Sequence, residues 1–482
     1  MPFSKLGAGL FVLSSGLQLT SAITSVQCVG SPNYTSTEQL GPSCVFLPDT
    51  TDEVAQAVKL FVENECSFSI KGGGRSTIPG AANIHDRILM SMKNLKRFEI
   101  NEDKTSVIVG AGNNMGDIYA GLDPHNLTAM VGRYQRVGLG MALGGGINFL
   151  VNKNGLAIDN IINYEVVLAD ATVVNASATS HPDLFRALKG GNNNFGVVTA
   201  FTLSTEPTEG SIYGGILYYA ESSFDQVADV IYDYQIRQAV GDTLTHALPQ
   251  YGYNASTNEA ISFNPVMYNQ GVNNLPEIMQ GWLDIPAYQS TLRNRQYYNL
   301  SVELDNSEFP SGLVEVQRVF TAYANAQLYK DFWAHFHARC QNFQHISGFY
   351  CLHVNMPITP YASIVCMTLT SLLVIYFGVS FDSLNDIDEV LPAHKEFVES
   401  MIALTEKRNL LHRLIMLPYS AYDQAAIESH GPENVQKMLA VQKVYDPHSV
   451  FQRLVPGGQK LPTDMLWLHT WVLKFRISYV GK

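Results

Sequence analysis

Charge is scarce in this chain and nowhere massed: Asp, Glu, Lys and Arg make up 15% of 482 residues, and the formal net charge is -12. Nucleic-acid binding depends on clustered Lys and Arg, and no such run exists, so a phosphate-backbone partner is excluded. Two nucleotide signatures are missing as well. No G-x-G-x-x-G sits between a strand and a helix with an acidic residue about twenty positions later, which removes a Rossmann dinucleotide site. There is no Walker motif, because Lys71 precedes its glycines rather than following them. No metal site is assigned.

What is present is an ordinary globular composition, 46% hydrophobic with 24 Tyr and 23 Phe. It is long enough for at least two packed units. Residues 1–22 combine Lys5, an apolar stretch from Leu6 to Leu19 and small residues ending at Ala22, which reads as a signal peptide. The expected location is the secretory pathway or outside the cell. Six cysteines then become disulfide candidates, and sequons at Asn33, Asn126, Asn175, Asn254 and Asn299 become candidates for N-glycosylation. The uncharged segment Tyr361 to Phe377 nearly reaches spanning length, but its β-branched content reads as buried strand and loop, so no stable membrane insertion is expected.

From Cys44 the chain reads as β-α-β. An apolar run to Leu47 is followed by Thr50 with Glu53 three residues on, a capping box for a helix whose apolar face carries Val54 and Val58. Ser67 to Ile70 alternates as the second strand. Neighbouring parallel strands would bring Cys44 and Cys66 together, making that pair the first choice among fifteen connectivities. Further strands are expected at Thr105 to Val109, Tyr164 to Leu168 and Val197 to Leu203, in a mixed α+β order. Beyond Pro207 the glycine clusters stop, and helices are expected near Ser223 to Arg237, Ser311 to Gln341 and Pro392 to Arg408.

Three glycine runs, KGGGRSTIPG from Lys71, GLGMALGGG from Gly138 and ALKGGNNNFG from Ala187, fall within about 130 residues. Glycine lets successive backbone N–H groups approach an anion such as a pyrophosphate. Three runs together suit one long ligand lying across a domain. In order, SCVFLPDT, KGGGRSTIPGAANI, VIVGAGNNMGDIYAGL, GRYQRVGLGMALGGG, NGLAIDNI, the stretch ending FGVVT, and YDPHSVFQRLVPGG resemble the FAD-linked oxidases of the vanillyl-alcohol oxidase and berberine-bridge-enzyme type. The resemblance implies an α+β fold: a PCMH-type FAD-binding domain of two α+β subdomains over 39–207, and a substrate domain over 208–418 with an antiparallel sheet and flanking helices. The segment 419–461 would return to the FAD domain, leaving 462–482 as an atypical tail.

Carried over residue by residue, Lys71, Gly72, Gly73, Gly74, Arg75 and Ser76 would wrap the pyrophosphate. Gly138, Gly140, Gly144, Gly145 and Gly146 would lie along the flavin, with Asp159, Gly196 and Val198 near the ribityl and adenine parts. The chain departs from the pattern at both covalent tethers: Arg75 stands where a His commonly bonds the flavin, and Tyr134 stands where a Cys does. FAD is therefore expected to be held without covalent bonds. A guanidinium is no nucleophile but suits pyrophosphate or reduced flavin. Val137 occupies the position that gates oxygen's approach.

Oxidation by flavin needs a base near N5, and the resemblance points to Tyr419 in MLPYSAY, with Pro418 replacing an Asn; Tyr134 is the second candidate. His345 and His353 fall in the substrate half. The expected function is a secreted FAD-dependent oxidase of a small organic molecule, a fungal secondary-metabolite intermediate, with O2 as electron acceptor. The alternatives are a carbohydrate or alcohol oxidase and a flavin-binding cyclase with little net redox activity.

Overall fold

The computed structural model describes residues 26–27, 40–238, 241–307, 312–358 and 371–462. The leader, the sequon at Asn33, residues 361–370 of the uncharged segment and the tail from 463 lie outside the described residues.

Local signals near residue 50 act as expected. Thr50 Oγ accepts the N–H of Glu53 at 3.2 Å, and the Glu53 carboxylate reaches back to the N–H of Asp49 at 2.7 Å, which starts the helix Thr51–Glu63. Val54, Ala57 and Val58 are its buried face. The first sheet contains β1 (Val26–Gln27), β2 (Cys44–Phe46), β3 (Phe68–Lys71) and β4 (Ile88–Ser91), in the order β1-β2-β4-β3. Here the expected disulfide is corrected. β2 and β3 are each parallel to β4 and lie on either side of it, so Cys44 and Cys66 do not bond to each other. Two strand spacings, about 9.5 Å, exceed the reach of a disulfide. Cys66 instead donates to the carbonyl of Asn64, and Cys340–Cys351 is bonded in the second half of the chain.

The second sheet holds β5 (Phe98–Ile100), β6 (Ser106–Gly110), β7 (Leu127–Ala129), β8 (Ile161–Val167), β9 (Val173–Ser177) and β10 (Val197–Pro207). Its order is β5-β6-β10-β8-β9, with β7 on the far end of β10, and every pairing is antiparallel. β10 is the spine: its first residues reach the ligand loops, and it stops at Pro207.

The third sheet holds β11 (Ile212–Ala220), β12 (Thr245–Ala247), β13 (Gln250–Asn254), β14 (Glu259–Tyr268), β15 (Gln289–Ser290), β16 (Arg293–Arg295), β17 (Val314–Tyr323), β18 (Tyr350–Ile358), β19 (Leu372–Phe381) and β20 (Leu411–His412). Its main order is β15-β11-β14-β13-β18-β19-β17-β20 and all pairings are antiparallel. Helices Phe224–Gln238, Ala326–Cys340 and Ile387–Lys407 pack on one face. This is the α+β architecture that the motifs imply.

Strand alternation decides what each face buries. On β19, Leu373, Ile375, Phe377, Val379 and Phe381 join the core under the helices, while Leu372 and Val374 join the core shared with the first two sheets. The described part of the uncharged segment is therefore buried strand. No helix among the described residues is long and apolar enough to cross a membrane. The helix expected over 311–341 is half strand: Val314, Val316, Phe320 and Ala322 alternate into the helix-side core as part of β17. The helix begins only at Ala326, after Asn325 accepts the N–H of Leu328 at 2.9 Å. At the outer edge of β17 a side chain continues the ladder that β20 begins. Gln424 accepts the N–H of Val319 at 3.1 Å and donates to its carbonyl at 2.7 Å.

Candidate active site

A cavity of about 320 Å³ lies where three loops of the N-terminal 207 residues meet the face of the large sheet turned away from those three helices. The first loop follows β3, from Gly72 to Ile78; the second runs from Arg133 to Met141; the third runs from Asn192 into the start of β10. The first two touch backbone to backbone. A Cβ on Gly73 would sit 2.4 Å from the backbone N of Gly138, and one on Gly138 would sit 2.3 Å from the N of Gly73, so neither position admits a side chain. Gly140 faces open space, since an added Cβ would meet nothing within 4 Å.

Of the residues chosen from sequence, Gly72, Gly73, Gly74, Arg75, Ser76, Tyr134, Val137, Gly138, Gly140, Gly196, Val198 and Tyr419 line this cavity. Lys71, Gly144, Gly145, Gly146 and Asp159 do not. Lys71 ends β3, and its aliphatic chain crosses Gly74, where a Cβ would lie 2.5 Å from Cε. Gly144 and Gly145 make room for Leu417 and Met416 behind the cavity wall. The Asp159 carboxylate accepts the N–H of Leu156 at 2.9 Å; burial pushes its pKa up, opposed by that hydrogen bond and by Lys189.

Arg75 is engaged. Its Nη1 lies 2.5 Å from Asp305 Oδ1, and Arg136 bonds the other oxygen of the same carboxylate, whose side chain is fully buried. Asp305 belongs to the helix Tyr297–Asn306, so the pair ties the first two glycine loops to that helix.

Tyr419 is held from behind. Its N–H donates to Met416 at 3.0 Å, and Gln459 fixes the following residues through Ser420 Oγ (2.9 Å) and the carbonyl of Ala421 (2.7 Å). Its hydroxyl accepts from Arg133 Nη2 at 3.4 Å, and its ring meets Tyr376 edge-on with centroids 6.3 Å apart. Arg133 in turn donates to His246 Nε2 at 3.4 Å. Burial, reinforced by the Arg133 charge, drives the His246 pKa far below its usual value, so this imidazole is a neutral acceptor. Tyr134 accepts from Gln250 Nε2 at 3.4 Å, and its carbonyl accepts the N–H of Val137 at 3.2 Å, forming the turn beneath the cavity.

The wall supplied by the large sheet is mainly aliphatic, Leu248, Leu352, Val354 and Met356, with Glu315 and Gln317 beside Tyr376. Sequence reasoning missed Arg133, Glu315 and Gln317. The alternation of β17 would have placed Glu315 and Gln317 on one face, had it been read as a strand. His353 is on the opposite face of β18 from the cavity, stacked on Phe377 at 4.6 Å, and His345 is exposed beside Glu389.

One chamber is thus walled by glycine backbone on one side, with Arg75 and Arg133 beside it, and by a mixed apolar wall on the other. The profile of the FAD binding domain family matches residues 42–177. The FAD-dependent monooxygenase tpcD of Cochliobolus heterostrophus is 31% identical over 456 residues, covering 87% of this chain and 85% of that protein. The FAD-dependent monooxygenase sdcF of Emericella nidulans is 29% identical over 468 residues, covering 88% and 91%. In fold, 6-hydroxy-D-nicotine oxidase from Arthrobacter nicotinovorans superposes with a TM-score of 0.77 at 17% identity, covering 92% of this chain and 100% of that one. The chain belongs to the FAD-linked oxidoreductases of the vanillyl-alcohol oxidase and berberine-bridge-enzyme type, and it is an enzyme.

Proposed function

We propose that this protein is a secreted FAD-dependent oxidase that acts on a small, largely apolar organic molecule of fungal secondary metabolism and holds its cofactor without a covalent bond. The observation that carries the reading is the cavity itself, in which glycine loops of one half and the aliphatic face of the large sheet share one space with Tyr419 at the seam. Bound there, FAD would supply the redox chemistry, a two-electron oxidation of the substrate with O2 as the final acceptor.

The protein's own residues do the rest. The backbone of Gly72 to Ser76 and Gly138 to Gly140 would cradle the cofactor, and the Arg75–Asp305–Arg136 cluster ties those loops together. Tyr419 presents its hydroxyl to the substrate group that is oxidised, and Arg133 orients that hydroxyl. Leu248, Leu352, Val354 and Met356 exclude water and favour an apolar substrate over a carbohydrate. Among the described residues that line the cavity there is neither His nor Cys, and Arg75 and Tyr134 stand at the two attachment positions, which supports non-covalent retention. Secretion rests on the leader; the exposed sequon residues Asn126, Asn175 and Asn299 are compatible with glycosylation.

Acid precipitation tests how FAD is held. The flavin colour should pass entirely into the supernatant, and the denatured band should not fluoresce. Flavin that stays with the unfolded chain would refute non-covalent binding, and a colourless purified protein would refute the functional reading as a whole.

A further inference from the structure

Among the described residues three arginines are less than a tenth exposed: Arg133 at 3%, Arg318 at 5% and Arg295 at 7%. Two have carboxylates. Arg318 bonds Asp423 at 2.6 Å, and Arg295 bonds Glu303. Arg133 has none. Its contacts are His246 Nε2 and Tyr419 Oη, each at 3.4 Å, and the thioether of Met356 at 3.6 Å. All are uncharged acceptors at long range, and Glu315, elsewhere on the same cavity wall, is not among its partners. A guanidinium removed from water without a counter-ion is costly, and such a group persists where an anion arrives to complete it.

The side chain lines the cavity beside Tyr134 and Tyr419, facing the aliphatic wall. His246 cannot share the charge, because it is buried and neutral. A planar fork of donors suits a carboxylate or an ionised phenol or enol oxygen.

We propose that Arg133 is the substrate's anion-binding residue, selecting organic molecules that carry an ionised oxygen on an otherwise apolar frame and docking that oxygen next to Tyr419. This rests on the cavity being the flavin and substrate chamber. Reduced flavin is a second possible source of negative charge for the same cation, and the experiment separates the two.

The probes are benzoate and its neutral isostere benzamide, titrated into the flavin-loaded protein while following both the flavin absorbance and the heat of binding. Wild type should prefer benzoate roughly 10- to 100-fold. Arg133→Met should lose that preference, Arg133→Lys should keep part of it, and sulfite affinity, which reads charge beside the flavin, should stay within about twofold in both variants. Equal affinity for the two probes in wild type, or no binding of either, overturns the proposal even if the variants do not fold. So does a benzoate preference that survives in Arg133→Met, and so does a benzoate preference left intact while sulfite affinity falls, which assigns the cation to the flavin. Absent flavin bands would instead sink the functional reading, and the calorimetric comparison would still decide the role of Arg133.

Discussion

The two faces of the large sheet are made from the same strands and built to opposite ends. Under the helices the face is closed: Phe377 stacks on His353, meets Phe336 at 4.8 Å and Phe397 at 5.2 Å, and the disulfide from Cys340 to Cys351 fastens a helix to β18. One residue along β19, Tyr376 faces the other way, into a space bordered by Glu315, Gln317 and Tyr419. The first face is packed for stability. The second leaves open volume between its polar and apolar side chains. Alternation of two residues per repeat lets one strand serve both ends without compromise, since a change on one face leaves the other untouched.

The largest effect should come from breaking this division at the neighbours on β19. Phe377→Ala should lower unfolding stability by about 3–5 kcal/mol, because a fully buried ring is lost from close packing. Tyr376→Ala, beside an existing cavity, should lower it by less than half as much. Equal losses in denaturant titrations would mean that the cavity face is as tightly packed as the helix face.

Next in size is a change on the open face alone. Tyr419→Phe keeps the ring against Tyr376 but removes the hydroxyl, so anaerobic flavin reduction should slow by about 10²-fold while the unfolding midpoint stays where it was. A full reduction rate would return Tyr419 to a packing role.

The smallest effect sharpens the closed face. Burial pushes the pKa of both His353 and His394 down to about 3. Their folded values lie below the unfolded one, so the unfolded chain takes up the proton first. The stability they contribute is present above about pH 6.5 and is lost as pH falls toward about 3, at about 2 kcal/mol per histidine by pH 5. His353→Phe should flatten that acid limb by one histidine's share. An unchanged slope would mean that this ring is not held neutral by its burial.

The FAD half was readable because its signals are local. A glycine run needs no partner to be noticed, and the Thr50 and Glu53 cap announces a helix within four residues. Even so, sequence could not tell which glycines face a ligand: Gly140 opens to the cavity, while Gly144 and Gly145 simply admit Leu417 and Met416. Nor could it separate neighbouring strands from strands one apart, which misplaced Cys44 and Cys66. The substrate wall was hidden for a different reason. Its residues come from β17, β18, β19 and the Leu417–Tyr419 turn, and only long-range pairing brings them together. Arg133 lay in plain view within GRYQRVG. What distinguishes it is the lack of a carboxylate partner among the described residues, a property of three dimensions.

Gln424 closes the outer edge of this sheet. Beyond the two-residue β20, its carboxamide takes up both backbone groups of Val319, while its oxygen also accepts from Ala421 N–H at 3.0 Å. An edge strand with unused backbone groups is a template onto which another chain can be added. One amide side chain fills that vacancy here, and the same amide secures the segment immediately after Tyr419. Protection against edge-to-edge aggregation and placement of the segment that carries Tyr419 are thus invested in a single residue, so a loss of solubility and, if Tyr419 acts as proposed, a loss of activity should arise together from its replacement.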